Sequence, residues 1–384
     1  MNKVVMYLPL AWMLVMMTTK GQADKPLVAI VLVTILTVFF SEHRKGIVQR
    51  CDAPWVKMLF MSALFGTISY WAHGYSSQEL RATMIALLFC VGIPFGLYSM
   101  RVMQYFLTSG ALVSLCVGLM TWNGEEFVRK LWPVNPIIAG TLIGITCVLG
   151  GAFLITAKDN RYRTLNVLTI AISLAALMLT QSRGPILAVL PVISVQLWVA
   201  FTRHTLNKKY LCTTILVLLC GVVLTLPVMT DRIQRTIHEV ATIHESHSKN
   251  NISLRTDMYK LGLHMIKARP LEGYGYTYRD SAVLNNLPSE VVPEHIIVHF
   301  HNMFIDKWVV SGILGFVIMM FFYIYPLKLA WRVRGDFFWL LVSPVAYIIL
   351  ASLTDVPLRN GATCVTYLCL MGIIVAKAKE SEIE

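Results

Sequence analysis

Long apolar stretches constrain this chain more than any other feature. Twelve of them run over residues 4–19, 26–40, 53–72, 81–98, 102–122, 135–156, 164–181, 184–201, 210–229, 303–327, 337–354 and 361–376. Each is long enough, with flanks and tilt, to cross about 30 Å of hydrocarbon. Hydrocarbon offers unpaired backbone groups no partner, so every one of these runs is expected to be a helix. With 56% hydrophobic and 14% charged residues, the composition is that of a chain whose solvent is largely a bilayer. The expected fold class is an all-α polytopic integral membrane protein of about 12 transmembrane helices. The first run is kept as a helix, because MTTKGQADK after it offers no small-residue cleavage site.

A net charge of +12 raises nucleic acid as a partner, but the basic residues are scattered through short loops and form no compact domain that could hold a duplex. Orientation accounts for most of the excess. With the N-terminus inside, the inner segments carry sixteen Lys and Arg, among them Arg44, Lys45, Arg161, Lys208 and Arg332. The outer loops carry seven: Lys20, Lys25, Arg81, Arg129, Lys130, Arg183 and Arg359. This positive-inside bias places both termini in the cytoplasm. The eight cysteines lie in or beside apolar runs, with no disulfide framework or metal spacing among them. That pattern is compatible with an oxidising compartment outside.

The chain divides into helices one to nine (1–229), a polar insertion (230–302) and helices ten to twelve (303–384). By the parity of the helix count the insertion is external. Within it, SLRTDMYKLGLHMIKA (253–268) spaces Leu254, Met258, Leu261, Met265 and Ile266 for a helix, with Ser253 as a possible N-cap and Pro270 beyond its end. Such a helix would lie on the bundle or on the membrane surface. The GYGY that follows reads as a turn, and PSEVVPEHIIVHFHN as a second short helix. No internal repeat is visible, which argues against a transporter of two matched halves.

Four residues of the outer face stand out, each with an ordinary structural role as its alternative. Arg183 sits in the tight turn of TQSRGPIL with no charged neighbour, where it either snorkels or serves a water-filled cavity. Arg255 opens the insertion's helix, where a cation meets an unfavourable dipole unless an anion joins it, or unless Asp257 or Glu294 pairs with it on a solvated face. His301 and Asn302, in HFHNMFID, stand at the mouth of helix ten; a histidine there either bonds a carbonyl or handles a hydroxyl proton. Asp355, in LTDVPLRN, either pairs with Arg359 or orients Arg183, Arg255 or His301. All four fall on one side of a topology set by Lys and Arg alone. The histidines at 238, 244, 247, 295, 299 and 301 also raise a metal site, discounted because no HExxH-like or Cys-containing spacing accompanies them.

On these features the chain resembles the O-antigen ligase family, within a superfamily that also holds O-antigen polymerases and bacterial protein O-oligosaccharyltransferases. The motifs are NPIIAG (135–140), SRGP with Arg183, Arg255 followed by ARPLEGYGY, the His301–Asn302 pair followed by SGILG, and Asp355 after helix eleven. The family's aromatic residue downstream of the loop arginine is best matched by Tyr259. The resemblance implies a GT-C-like arrangement with one large, partly helical periplasmic loop in a bacterial inner membrane. It also implies transfer of a finished glycan from undecaprenyl diphosphate to a sugar hydroxyl of lipid A core, with no cofactor and no metal, among membrane lipids and without nucleic acid. In that reading Arg183 and Arg255 hold the donor diphosphate, since planar guanidinium forks suit phosphate oxygens. His301 positions or deprotonates the acceptor hydroxyl, or is a third phosphate ligand, with Asp355, Asn302 and Tyr259 in support. A polymerase or a protein O-oligosaccharyltransferase would use the same donor. A lipid-linked glycan flippase is the alternative without chemistry, and would place its ionisable residues near the midplane rather than at one face.

Overall fold

The computed structural model describes residues 3–16, 18, 25–40, 46–203, 230, 234, 237, 251–280, 283 and 299–383. Its helices are α1 (Lys3–Val15), α2 (Lys25–Phe39), α3 (Gly46–Cys51), α4 (Pro54–His73), α5 (Ser77–Gly92), α6 (Met100–Leu119), α7 (Pro136–Thr156), α8 (Asn160–Leu179), α9 (Arg183–Thr202), α10 (Asn251–Ala268), α11 (Met303–Val333), α12 (Gly335–Ser352) and α13 (Gly361–Ile383). No β-strand occurs among the described residues; Trp122 and Phe127 form an isolated bridge. Eleven of the twelve apolar runs coincide with helices, while the run over 210–229 and most of the segment expected as a second loop helix lie outside the described residues.

Seven helices, α6 to α9 and α11 to α13, are long and apolar enough to cross a membrane. Among the other four runs, α1, α2 and α5 are shorter, at 13, 15 and 16 residues. In α4, Lys57, Ser62, Thr67, Ser69 and His73 interrupt the apolar surface. Local chemistry explains the boundary shifts. α5 starts at Ser77 rather than at 81 because the Ser76 hydroxyl caps it, accepting from the Glu79 amide at 3.2 Å, and it stops before Pro94. Arg81 therefore belongs to the first turns of α5, not to a loop. α10 likewise begins two residues before Ser253, which lies inside its first turn instead of capping it.

α7 forms the centre of the bundle. Every residue from Ala139 to Ile155 is buried, as expected of a helix apolar all round. It packs against α6, α8, α9 and α12. α13 is at least as enclosed and packs mainly on α5. The amphipathic α10 lies on the bundle, against α11. Its anticipated face is the one buried: Met258, Leu261 and Met265 join Tyr75, Tyr278, Phe300 and Val309 in a second apolar cluster.

The docking of the 270–275 segment depends on a break in α11. At Gly312 the backbone turns to φ +60°, and Ile313 N–H donates to the Pro270 carbonyl at 3.0 Å. The Val309 carbonyl accepts instead from Tyr274 N–H at 2.8 Å, so the helical hydrogen bond lost at the break is replaced by two to the incoming chain. A Cβ on Gly312 would stand 2.0 Å from the Leu271 carbonyl oxygen, and one on Gly273 would stand 2.6 Å from the Gly312 nitrogen. Only glycine combines this dihedral with this approach. Gly312→Ala is therefore expected to lower stability by at least ~1–2 kcal/mol, the cost of a left-handed residue before any clash is counted. Thermal unfolding in detergent checks it: an unchanged Tm would show that the Leu271 carbonyl can move aside.

Candidate active site

The site is built around residues 299–302, which run into α11. Phe300 is fully buried against Tyr278, ring centroids 5.3 Å apart, and alternation along this non-helical stretch leaves His299 and His301 on the other side. His301 has φ +50°, a left-handed conformation costly for a side chain with a Cβ. Its neighbours hold it there. The Asn302 carboxamide oxygen caps α11, accepting from the Phe304 and Ile305 amides at 3.0 and 3.2 Å. The Asp306 carboxylate accepts from the Phe300 amide at 3.2 Å. The Tyr259 hydroxyl hydrogen is shared between the carbonyls of His301 (3.1 Å) and Leu353 (3.0 Å), tying α10 to both α11 and the end of α12.

Asp355 completes a triangle with the two histidines. Its Oδ1 lies 3.3 Å from His299 Nε2 and 3.5 Å from His301 Nδ1, and those nitrogens are 3.2 Å apart. Burial pushes the Asp355 carboxyl up, but hydrogen bonds and charge from both histidines outweigh it and hold the group well below the usual carboxylate range. The three ligand atoms lie within 4.8 Å of one another, close enough to hold a metal ion, although the sequence offered no metal spacing.

Asp355 does not pair with Arg359, the partner that proximity in sequence suggested. Arg359 Nη1 instead donates to both oxygens of Asp306, at 2.7 and 2.9 Å, and its guanidinium lies 4.8 Å over the Tyr276 ring. The reason is reach. Asp306 is buried one turn into α11, where a carboxylate needs a cation, whereas Asp355 faces two imidazoles. A second buried ion pair joins Lys307 to Glu79, with the Tyr75 hydroxyl bonded to both.

His299, His301 and Asp355 line a cleft of about 810 Å³. Its opposite walls come from the start of α5 (Ser76, Ser77, Gln78), the start of α7 (Asn135, Ile137, Thr141) and the start of α13 (Asn360, Thr363). The anticipated residues converge unevenly. His301, Asn302, Asp355 and Tyr259 meet directly. Arg255 is one helical turn before Tyr259, whose ionisation senses both its charge and that of Asp355, burial being the larger influence and raising the phenol. Arg183 is the first residue of α9, and a Cβ on its neighbour Gly184 would lie 2.6 Å from the hydroxyl of Thr354, next to Asp355. Neither arginine lines the cleft. Sequence reasoning passed over Asp306, took Arg359 only as a partner for Asp355, and discounted His299 with the histidine cluster; the alternate spacing of HFH was the available signal for His299.

Residues 168–320 match the family model described as O-antigen ligase. The matched stretch holds Arg183, Arg255, Tyr259, His301 and Asn302, and ends before Asp355. An O-antigen ligase of Escherichia coli (strain K12) is 25% identical over 208 residues, covering 50% of this chain and 46% of the relative. The match thus spans less than half the length of that relative. These matches make the chain similar to the O-antigen ligase family over this stretch, in agreement with the resemblance that the order of its motifs carries.

The depressed Asp355 carboxyl has a sign that can be tested. Its contribution to stability is present above the ordinary carboxylate range and is lost only as pH falls through the lowered value. The stability gap between wild type and Asp355→Asn should therefore stay constant from neutral pH down to about pH 5, above the range in which the unfolded carboxyl titrates, and close in stronger acid. Unfolding midpoints from about pH 5 downward check this; a gap that stays open in strong acid would mean that the Asp355 carboxyl is not held ionised in the folded protein.

Proposed function

We propose that this protein is an O-antigen ligase of the bacterial inner membrane, with a twelve-span topology, a periplasmic insertion over 230–302 between the bundle parts 1–229 and 303–384, and its active site at the periplasmic face. It transfers a glycan from undecaprenyl diphosphate to a sugar hydroxyl of lipid A core. The observation that carries the reading is the shared carboxylate. With Asp355 Oδ1 accepting from His301 Nδ1, the imidazole is fixed in the tautomer whose Nε2 is a bare acceptor. Nε2 takes the acceptor hydroxyl proton while that oxygen bonds the anomeric carbon, and the carbon–oxygen bond to the diphosphate breaks with its electron pair leaving on phosphate. Arg183 and Arg255 stabilise the departing diphosphate, each worth roughly 100- to 1000-fold by analogy with other single-donor deletions. His299 shares the carboxylate, while Tyr259 and Asn302 keep the turn in register.

Reconstitution with purified undecaprenyl-diphosphate-linked glycan and lipid A core tests the reaction, donor and acceptor together. Wild type should join glycan to core, His301→Ala should abolish transfer while still binding donor, and Arg183→Ala or Arg255→Ala should each lose ~100-fold or more. Extension of one lipid-linked glycan by another would make the protein a polymerase, and movement of donor across the bilayer with no new glycosidic bond a flippase.

The tight His299–His301–Asp355 cluster favours one second reading, a bound divalent ion. Chelation separates the two: full transfer after exhaustive chelator treatment supports the hydrogen-bonded triad, and loss restored by added zinc supports the ion.

A further inference from the structure

From the make-up of the cleft wall facing His301, we infer that residues at the starts of α5, α7 and α13 form a saccharide subsite, the place where the acceptor sugar is held with its hydroxyl toward the triad. This rests on the reading of His301 as the group that meets that hydroxyl. A diphosphate site calls for guanidinium or ammonium groups, yet neither Arg183 nor Arg255 lines the cleft. Arg359 does line it, but its charge is matched by Asp306. Away from the triad and Arg359, the polar groups of the wall are neutral hydroxyls, amides and tyrosines, among them Ser77, Gln78, Asn135, Thr363, Tyr70 and Tyr276, set between the apolar Ile137, Ile138, Val356 and Pro357. Sugars present hydroxyls to such donors and acceptors and flat C–H faces to such rings. The volume of about 810 Å³ falls within the range of small-ligand sites.

Two details point to a ligand rather than to a merely solvated groove. Asn135 and Asn360 use their carboxamide oxygens as helix caps, accepting from Ile137 at 2.9 Å and from Ala362 at 3.1 Å. Capping in this way occupies the acceptor of each amide and spares its N–H₂ donor. Thr363, only 1% exposed, lines the same wall, and its hydroxyl has no hydrogen-bond partner. A buried hydroxyl left unpaired is costly, and native structures keep few of them without a reason. A sugar hydroxyl entering beside Asn360 would satisfy it.

Thr363→Val is the informative variant, since replacing an unsatisfied buried hydroxyl by a methyl of the same shape should not weaken the fold. Gln78→Ala, at a half-buried position, is its companion. Binding is measured on the full-length protein in nanodiscs, with lipopolysaccharide lacking O-polymer as the acceptor probe and undecaprenyl diphosphate as the donor probe. Each variant should weaken acceptor binding ~3- to 10-fold, the value of one hydrogen bond, and leave the donor probe unchanged. Unchanged acceptor binding in both variants, or weakening of the donor probe instead, overturns the assignment. The outcome is separable from the fate of the ligase reading: acceptor binding that depends on Thr363 in a protein that transfers no glycan would retire the reaction and keep the subsite.

Discussion

The buried pair of Asp306 and Arg359 governs the geometry at the mouth of the cleft. Asp306 is 2% exposed, and a carboxylate there is tolerated only if paired and hydrogen-bonded. One oxygen accepts from both Arg359 and the Phe300 amide, so a single carboxylate ties the start of α11 to the histidine turn and to the connection between α12 and α13. Those last two elements supply the whole triad: His299 and His301 from one, Asp355 from the other. Removing one member of such a buried pair typically costs about 3–5 kcal/mol, because the partner is left charged and dry. The triad's spacing of 3.2 to 3.5 Å is thus a consequence of a contact that lies outside it.

Much of the fold was legible because its causes are local. Periodicity located α10 and its buried face, since a stripe of Leu254, Met258, Leu261 and Met265 has one way to satisfy itself on a helix. The apolar run beginning at 135 met the start of α7, where Asn135 caps the helix and Pro136 takes its first position. What stayed hidden depends on long-range pairing. Asp355 and Arg359 are four residues apart and of opposite charge, yet each turns to a different partner, Arg359 to a carboxylate 53 positions away. His299 was set aside along with a diffuse histidine cluster, as nothing in the sequence says that residues 299–302 are not helical. The short span of α5 was invisible for a milder reason: the hydrophobic run continues to 98, but Pro94 and the Ser76 cap shift the helix itself toward the cleft.

The glycines of the insertion belong to the same account. GYGY, expected as a turn, instead runs from an irregular pair into the 3-10 helix Gly275–Arg279, and the reason for two glycines is the approach of other backbones. Gly273 sits against the broken segment of α11, and Gly275 against the carbonyl of His73 at the end of α4. Close backbone contact replaces side-chain packing there, which keeps Tyr274, Tyr276 and Tyr278 next to Arg269, Arg359 and Phe300. Tyr276 then joins the cleft wall, so the turn that docks the insertion also shapes the site.

Helix direction supplies the last constraint. α5, α7 and α13 all begin at the cleft, α11 begins directly after His301, and α9 begins beside Thr354. Each N-terminus carries the positive end of its helix dipole, and five of them gathered at one mouth favour negative charge there. The same field would favour charge developing on phosphate oxygens at Arg183, the first residue of α9. One architectural fact, the gathering of these helix starts, thus explains why ionisable residues far apart in sequence collect at a single end of the molecule.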